Sequence, residues 1–345
     1  MSGRRIWVAA NQGEVGGGEV MLQHLATALR ELGRDVAVVA PAAPAATASR
    51  LEADGFVVDR VGGSGRLGYM AALRRWHRSR QEDVLWCNGL LPATALAGRA
   101  RRIVHLHQVP EKPQLRAFSV AARPSALAVL APSRFAAERI PGARVLPNWV
   151  PGPAEPVTPR VRAGGEPLRV GFLGRLSEDK GILTLLEAAA LLRASDPGAF
   201  AFQIAGETRF VAGPEAERVT AALAAAGPDV EVLGWQDTTA FLASVDVLAV
   251  PSQWAEVFGL VTAEAMAAGV PVIASDAGAL PEVVGERHPL TFRQADAAGL
   301  ADALRRAAHT DLVQLARTQR ERWDALFSPE AGRAAVGQLL DDLGI

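Results

Sequence analysis

The sequence is poor in cysteine and lysine and has no long apolar run. One cysteine, Cys87, stands among 345 residues, which excludes an internal disulfide framework and a cysteine-rich zinc site. No apolar run approaches the ~18–20 residues of a membrane-spanning helix, and residues 1–8 lead into a strand pattern without a signal-peptide core. We therefore expect a cytoplasmic protein.

Net charge is also small, at −1, but it is unevenly distributed along the chain. Residues 1–150 carry 20 lysine and arginine residues against 11 acidic ones, whereas residues 151–345 carry 16 against 26. Lys112 and Lys180 are the only lysines. Such asymmetry bears on partners and on domain boundaries. A basic first half fits an acidic substrate, an anionic lipid surface or the acidic second half, and no nucleic acid is expected as a partner.

Length and hydrophobic pattern predict two α/β domains. A chain of 345 residues exceeds the ~250–300 residues at which one core stops growing. Apolar strands at 6–10 and 35–40 flank an amphipathic helix capped by Gly33, which makes a βαβ unit of a parallel sheet. A second such series starts at residue 168. The predicted fold has two doubly wound, Rossmann-like domains facing each other across a cleft, over residues 1–150 and 168–329, with a Pro/Gly-rich linker at 151–167.

Ligands of open parallel sheets bind beyond the carboxyl ends of the strands. Three loops at such positions contain candidate binding residues. The first loop contains Gly16, Gly17 and Gly18, whose backbone can approach a ligand closely and adopt positive φ. A tight turn is the alternative. The loop has neither the G-x-G-x-x-G spacing of a dinucleotide site nor the Gly-Lys-Ser/Thr of a Walker loop.

The second loop, residues 174–181, carries Arg175 and Lys180 before a predicted helix. Cations gathered at a helix N-terminus oppose folding but favour a bound polyphosphate. Solvated charges beside Glu178 and Asp179 are the alternative.

The third loop carries Glu256 and leads into a predicted helix over about 259–268, in which Glu264 has small apolar neighbours. A buried carboxylate needs partners, and two ribose hydroxyls would supply two donors. An exposed helix position is the alternative.

His105 and His107 alternate on one predicted strand, so their side chains share a face. A structural role is the usual explanation for either histidine alone. A metal site lacks a third ligand of suitable spacing and an Asp-x-Asp motif. No metal is therefore expected.

Glu256 and Glu264, separated by seven residues and preceded by Pro251-Ser252, resemble the E-x7-E motif of retaining glycosyltransferase family 4, which has the GT-B fold. Further pieces of the family pattern occur in the expected order over nearly the whole chain: Gly16 to Glu19, residues 131–135 before 146–148, and Gly174-Arg175 with Lys180-Gly181. The sequence departs at Gly278-Ala279, where the family often has two glycines.

The resemblance implies a metal-independent, retaining transfer of a sugar from a nucleotide diphosphate-sugar to a hydroxyl acceptor, without a cofactor. Arg175 and Lys180 would bind the diphosphate, Glu264 the ribose, and Glu256 and His107 the donor sugar. The expected catalytic residues are His107, Arg175, Lys180 and Glu256. The expected nucleotide-binding set adds backbone groups of Gly16, Gly17, Gly18, Gly174, Val257, Phe258, Gly259 and Leu260. A C-terminal helix at about 330–345 is expected to pack back on the first domain.

Two other functions remain open, namely a sugar-nucleotide epimerase or other enzyme acting on the donor alone, and a non-catalytic nucleotide-sugar-binding module. A further expectation is peripheral contact with the inner face of an anionic membrane. A cationic helix near residue 70 would provide it, with Arg66, Arg74, Arg75, Arg78 and Arg80 beside Leu67, Met70, Leu73 and Trp76. A solvated helix face is the favoured alternative for this segment.

Overall fold

A computed structural model describes residues 4–160, 162–163, 165–208 and 211–345. The chain divides into two compact units. Unit 1 comprises Met1–Trp149 and Pro329–Ile345, and unit 2 comprises Val150–Ser328. The segment predicted as a linker, residues 151–167, belongs to unit 2, except that positions 161 and 164 lie outside the described residues. Val157 N there donates to Ala268 O at 2.7 Å.

Unit 1 is built on a parallel sheet of seven strands in the order β3-β2-β1-β4-β5-β6-β7. The strands are β1 (Ile6–Ala10), β2 (Val36–Pro41), β3 (Val58–Val61), β4 (Val84–Asn88), β5 (Arg102–His105), β6 (Ala126–Ala131) and β7 (Ala143–Val145). The helices that connect them are α1 (Gly17–Glu31), α2 (Ala46–Ala53), α3 (Gly65–Trp76), α4 (Leu90–Ala95), α5 (Pro113–Ala122) and α6 (Arg134–Arg139).

Unit 2 repeats this design with a parallel six-stranded sheet in the order β10-β9-β8-β11-β12-β13. Its strands are β8 (Leu168–Leu173), β9 (Phe200–Ala205), β10 (Val230–Gly234), β11 (Val247–Val250), β12 (Val272–Ser275) and β13 (Thr291–Phe292). Its helices are α7 (Ile182–Ser195), α8 (Gly213–Ala224), α9 (Thr238–Ser244), α10 (Leu260–Ala268), α11 (Leu280–Val284), α12 (Ala297–Ala308) and α13 (Leu312–Phe327). The expectation of two doubly wound α/β domains is confirmed.

The last helix, α14 (Pro329–Leu343), returns to unit 1. Its Gly337 lies against Leu32 at the end of α1, and Arg333 forms an ion pair with Glu31 at 2.6 Å. The indole of Trp149 packs directly on Gly332. A Cβ at position 332 would lie only 2.2 Å from the ring, so a larger residue would not fit.

The strand order creates a switch point in each sheet, where the chain turns from one side of its first strand to the other. In unit 1 the switch point lies between β1 and β4, and in unit 2 between β8 and β11. Helices on opposite faces diverge there, so a crevice opens beyond the carboxyl ends of the two central strands. The fold therefore singles out the loops after β1 and β4 and the loops after β8 and β11.

The central strands are buried on both faces. All residues of β1, β4 and β5 are buried, including the guanidinium-bearing Arg102. Arg102 is satisfied by backbone carbonyls, since it donates to those of Arg99, Ala122 and Pro124 at 2.7–2.9 Å. No helix in the described part of the chain combines the length and apolar character needed to cross a bilayer.

Candidate active site

The loops after β8 and β11 are joined at the switch point of unit 2. The loop after β8 contains a 3-10 turn, Glu178–Lys180, directly before α7. The carbonyl oxygen of Asp179 in this turn accepts hydrogen bonds from the amides of Gln253 and Trp254, at 2.8 and 3.1 Å. Gly181 ends the turn with φ +77°, and a Cβ there would lie 1.7 Å from Pro251 O. Only glycine fits this close approach.

Lys180 and Glu256 form an ion pair across this junction. Lys180 Nζ lies 2.5 Å from Glu256 Oε1, and the same oxygen accepts a hydrogen bond from Ser252 Oγ at 2.9 Å. The Glu256 side chain is 12 % exposed and that of Lys180 is 35 % exposed. The ammonium group is thus held at the switch point by a carboxylate and still reaches solvent.

The second predicted cation, Arg175, is also paired with a carboxylate. Its guanidinium contacts Asp179 Oδ2 at 2.5 Å and Ser177 Oγ at 3.2 Å. Both cations lie within the loop before α7, as the sequence predicts. Gly174, which precedes Arg175, has φ +148°, and its carbonyl oxygen would lie 1.8 Å from a Cβ at Gly206. The loops after β8 and β9 therefore also approach each other closely.

The loop after β11 ends at the N-terminus of α10. Gly259 is the N-cap residue with φ +92°, and Leu260 is the first residue of the helix. Within the described part of the chain, the backbone N–H groups of residues 257–261 donate no hydrogen bond. The Phe258 side chain is buried and packs edge-to-face on Phe327 at 5.1 Å, so only the backbone of Phe258 is available to a ligand.

Glu264 lies in the second turn of α10 and is partly buried. Burial raises the pKa of its carboxyl group above the usual value. No charged or hydrogen-bonding side chain among the described residues offsets this effect. A partly buried carboxylate without a protein donor is able to accept hydrogen bonds from a ligand.

In unit 1, the three glycines form the start of α1 and not a left-handed loop. Gly16 is the N-cap with φ −131°, and Gly17 and Gly18 open the helix. None of the three adopts the positive φ that glycine permits, because all of them lie at the start of the helix. Glu19 in the first turn is buried, and burial raises its pKa to about 7.

His107 lies two residues beyond the end of β5, and its side chain contacts Asn88, the last residue of β4. Its Nε2 lies 2.8 Å from Asn88 Oδ1, and Asn88 Nδ2 donates to Gly18 O at 2.8 Å. The rings of His105 and His107 have centroids 4.1 Å apart, so the two side chains share a face as predicted. Burial lowers the pKa of His107 to about 4, which leaves the imidazole neutral at pH 7.

Three polar residues hold the predicted groups, and the sequence assigned none of them a role in the site. Asn88 holds His107, Ser252 holds Glu256 and Asp179 holds Arg175. Asn88 is the last residue of β4, and this position at a strand end beside the switch point is the signal that could have found it. The described residues contain no cluster of three or more histidine, cysteine and carboxylate side chains suited to a metal ion.

Comparison with known proteins identifies both units. A family model described as Glycosyltransferase Family 4 matches residues 15–150, and one described as Glycosyl transferases group 1 matches residues 167–310. The D-inositol 3-phosphate glycosyltransferase of Corynebacterium jeikeium is 33 % identical over 221 residues, which are 59 % of this chain and 51 % of that protein. The glycogen synthase of Mycobacterium tuberculosis is 31 % identical over 187 residues, 52 % of this chain and 43 % of that one. This chain thus spans about half the length of the curated relatives it matches.

Solved structures agree with the fold along the whole chain. Anabaena HepE in complex with UDP-glucose has a TM-score of 0.80 at 20 % identity, covering 99 % of this chain and 100 % of that one. Sucrose-phosphate synthase from Thermosynechococcus elongatus has a TM-score of 0.79 at 22 % identity, covering 99 % of both chains. The expectation of the GT-B fold is confirmed. The two family models together account for well over half of the residues, and the chain therefore belongs to the family 4 and group 1 glycosyltransferases.

Proposed function

We propose that this protein is a retaining glycosyltransferase that moves a sugar from a nucleotide diphosphate-sugar to a hydroxyl acceptor without a metal ion or cofactor. One observation carries the proposal. Lys180, Arg175 and the unpaired amides of residues 257–261 converge on the carboxyl ends of β8 and β11, where a parallel sheet binds its ligand. Two cations and a helix N-terminus are a set of groups that suits a diphosphate.

The remaining groups fit the other parts of such a donor. Glu264 lies four residues after Leu260, the first residue of α10, and its carboxylate oxygens have no protein donor among the described residues. Two ribose hydroxyls would supply the donors. Glu256 would lie at the donor sugar, with Ser252 and Lys180 fixing the carboxylate. His107 and the Gly16–Gly18 backbone of unit 1 complete the proposed set.

Catalysis in this proposal consists of orienting the acceptor and stabilising the leaving diphosphate. Negative charge grows on the diphosphate as the bond from the sugar to oxygen breaks. Arg175, Lys180 and the N-terminus of α10 would neutralise this charge, so that no metal ion is needed. Glu256 is engaged by a cation and a hydroxyl and is not free to act as a covalent nucleophile. We therefore favour attack of the acceptor on the same face, with the leaving phosphate taking the hydroxyl proton.

A transfer assay with paired variants tests the proposal. UDP-glucose, which is bound in the HepE complex, is the first nucleotide sugar to test as a donor, with others and a panel of hydroxyl acceptors in parallel. Lys180→Met and Glu264→Gln should each reduce transfer at least tenfold. Arg305→Met is the matched control, because Arg305 is about as exposed as Lys180 and also pairs with carboxylates. Addition of EDTA should leave the rate unchanged, and the product should keep the anomeric configuration of the donor.

The same assay separates the alternatives. Isomerisation of the donor without acceptor would favour an epimerase, and donor binding without turnover under any condition would favour a binding module. Equal rates for wild type and Lys180→Met would contradict the proposed diphosphate subsite. A glycosyl-enzyme adduct detected by mass spectrometry would contradict same-face attack.

We also propose peripheral contact with an anionic membrane, through α5 and not through α3. On α3 Leu67 is the one large apolar residue that is strongly exposed, since Leu73 is buried in the core. Arg80, which follows this helix, is engaged in an ion pair with Asp59. On α5 the exposed fractions of Leu115, Phe118 and Val120 are 37, 50 and 55 %. A cavity of about 630 Å³ beside α5 is lined by three arginines, Arg116, Arg123 and Arg139, and by one acidic residue, Glu111. Apolar side chains next to clustered cations are typical of a surface that binds acidic lipids.

Flotation with vesicles tests this second proposal. Binding to vesicles that contain acidic phospholipid should exceed binding to pure phosphatidylcholine and should weaken with salt. The variant Leu115→Ser/Phe118→Ser should lose binding, while Leu67→Ser on α3 should retain it. Loss of vesicle binding in Leu67→Ser alone would place the contact on α3. Absence of vesicle binding by wild type at low salt would contradict the membrane proposal.

A further inference from the structure

Asn88 links three switch-point elements of unit 1. It is the last residue of β4, its register partner on β1 is Ala10 and its partner on β5 is His105. Asn88 is buried, and both ends of its amide are used, one towards His107 and one towards the first turn of α1. The amide therefore fixes the relation between the histidine and the glycine loop.

The backbone decides the orientation of this amide. Gly18 O is a carbonyl oxygen and can only accept a hydrogen bond, so the Asn88 atom that faces it at 2.8 Å must be the donor Nδ2. Oδ1 then faces His107 Nε2, also at 2.8 Å. Because an amide oxygen can only accept, His107 Nε2 must carry the proton. In a neutral imidazole, Nδ1 is then left as an acceptor.

The surroundings of His107 agree with a single tautomer. Nδ1 is buried and has no hydrogen-bond partner among the described residues. A Cβ built on Gly18 would lie 3.7 Å from His107 Cδ2, so the glycine loop packs on the Nε2 side of the ring. Burial lowers the His107 pKa, which favours the neutral form in which the two nitrogens differ.

We propose that Asn88 is a positioning residue that holds His107 as the Nε2–H tautomer, with Nδ1 kept as an acceptor for a hydroxyl group of the bound sugar. The assignment of a sugar to His107 rests on the proposed function, whereas the tautomer rests on the hydrogen bonds alone. The group that Nδ1 takes must be a donor, which a sugar hydroxyl is and a phosphate oxygen is not. An Nδ1–H tautomer would place two acceptors, Nε2 and Oδ1, against each other at 2.8 Å.

Nitrogen NMR of the full chain labelled in its histidine rings tests the tautomer without reference to activity. In the neutral ring, the protonated and unprotonated nitrogens have well-separated shifts, and His107→Gln identifies the signals of His107. We expect the Nε2–H pattern in wild type and in Asn88→Asp, because the carboxylate introduced by that substitution would still accept from Nε2. We expect a mixture of tautomers in Asn88→Leu. The Nδ1–H pattern in wild type, or an unchanged pattern in Asn88→Leu, would overturn the assignment.

Kinetics then test the positioning role. Asn88→Leu should lower kcat about tenfold, the equivalent of one lost hydrogen bond of ~1.4 kcal/mol, and leave the affinity for free UDP unchanged. Trp76→Phe is the matched control, because it removes one partly buried hydrogen bond of unit 1, to Asp59, outside the proposed site. An equal loss in both variants would reduce Asn88 to a structural residue. A wild type with the expected tautomer but no transfer activity would contradict the proposed function and leave the tautomer assignment in place.

Discussion

Glu256 and a bound diphosphate would compete for one ammonium group, that of Lys180. The ion pair between Lys180 and Glu256 is short, at 2.5 Å, and Glu256 is almost enclosed while Lys180 reaches solvent. Two substitutions at this pair should therefore change nucleotide affinity in opposite directions. Lys180→Met removes the cation that attracts phosphate, whereas Glu256→Gln removes the negative charge that repels it and keeps the side-chain shape.

The magnitudes follow from the geometry. A phosphate oxygen bonded to Lys180 Nζ would lie roughly 5 Å from Glu256, where two like charges interact with about 3 kcal/mol at an effective dielectric constant of ~20. Solvent contact of Lys180 reduces this value, and we expect about 1 kcal/mol, or a gain of about fivefold in affinity for Glu256→Gln. Loss of a charge-assisted hydrogen bond worth about 1.5–3 kcal/mol predicts a decrease of about 10- to 100-fold for Lys180→Met.

Isothermal titration calorimetry with UDP, and with GDP and ADP in parallel, measures both effects. Glu256→Gln should bind more tightly than wild type and turn over more slowly, because the proposed donor-sugar contact loses its charge. Arg305→Met should bind as wild type does. A purely structural ion pair predicts weaker or unchanged binding in both variants, so either result for Glu256→Gln would refute the competition.

Three further predictions concern stability. Arg102→Ala should destabilise the fold by about 3–5 kcal/mol in denaturant titrations, because buried backbone carbonyls lose their donor. Gly181→Ala should cost at least about 2 kcal/mol, since its Cβ would overlap Pro251 O, whereas Gly33→Ala, with similar φ and open space, should cost about 1 kcal/mol. Glu19, with a folded pKa of about 7 above an unfolded value of ~4.3, binds its proton more tightly when folded, so its contribution to stability falls as pH rises through this window. Glu19→Gln should remove most of this fall, about 2–3 kcal/mol between pH 4 and 8, in urea titrations across that range.

The strands of the first βαβ unit could be predicted because they are buried along most of their length. Strands β1 and β2 carry apolar runs because both faces of a parallel sheet are covered, and the predictions at 6–10 and 35–40 lie within one residue of the observed bounds. Strands β3 and β7 were not predicted. They lie at the two edges of the first sheet and are only partly buried, so their sequences contain no apolar run.

Predictability of the candidate site follows the same division. Loops at strand ends and residues of recognisable type, such as Arg175, Lys180 and Glu256, could be proposed from position and resemblance. Their partners could not, because hydrogen bonds between residues distant in sequence depend on strand order. Asn88 and Gly18 are 70 positions apart, and Lys180 and Glu256 are 76 apart. Only the order β1-β4 and β8-β11 makes them neighbours.

The pairing of both cations with carboxylates also bears on how a diphosphate would bind. Unpaired, Arg175 and Lys180 would repel each other and the positive end of a helix, which disfavours a fixed geometry. Asp179 and Glu256 remove that repulsion, and the carbonyl oxygen of Asp179 ties the two loops together. When a diphosphate binds, Arg175 and Lys180 would exchange their carboxylate partners for phosphate oxygens, and both side chains would already be in position. Such an exchange avoids the entropic cost of ordering two long side chains. The net affinity for diphosphate is nevertheless smaller than the charges alone suggest, because the ion pairs with Asp179 and Glu256 are given up. The competition at Lys180 is the measurable consequence of this arrangement.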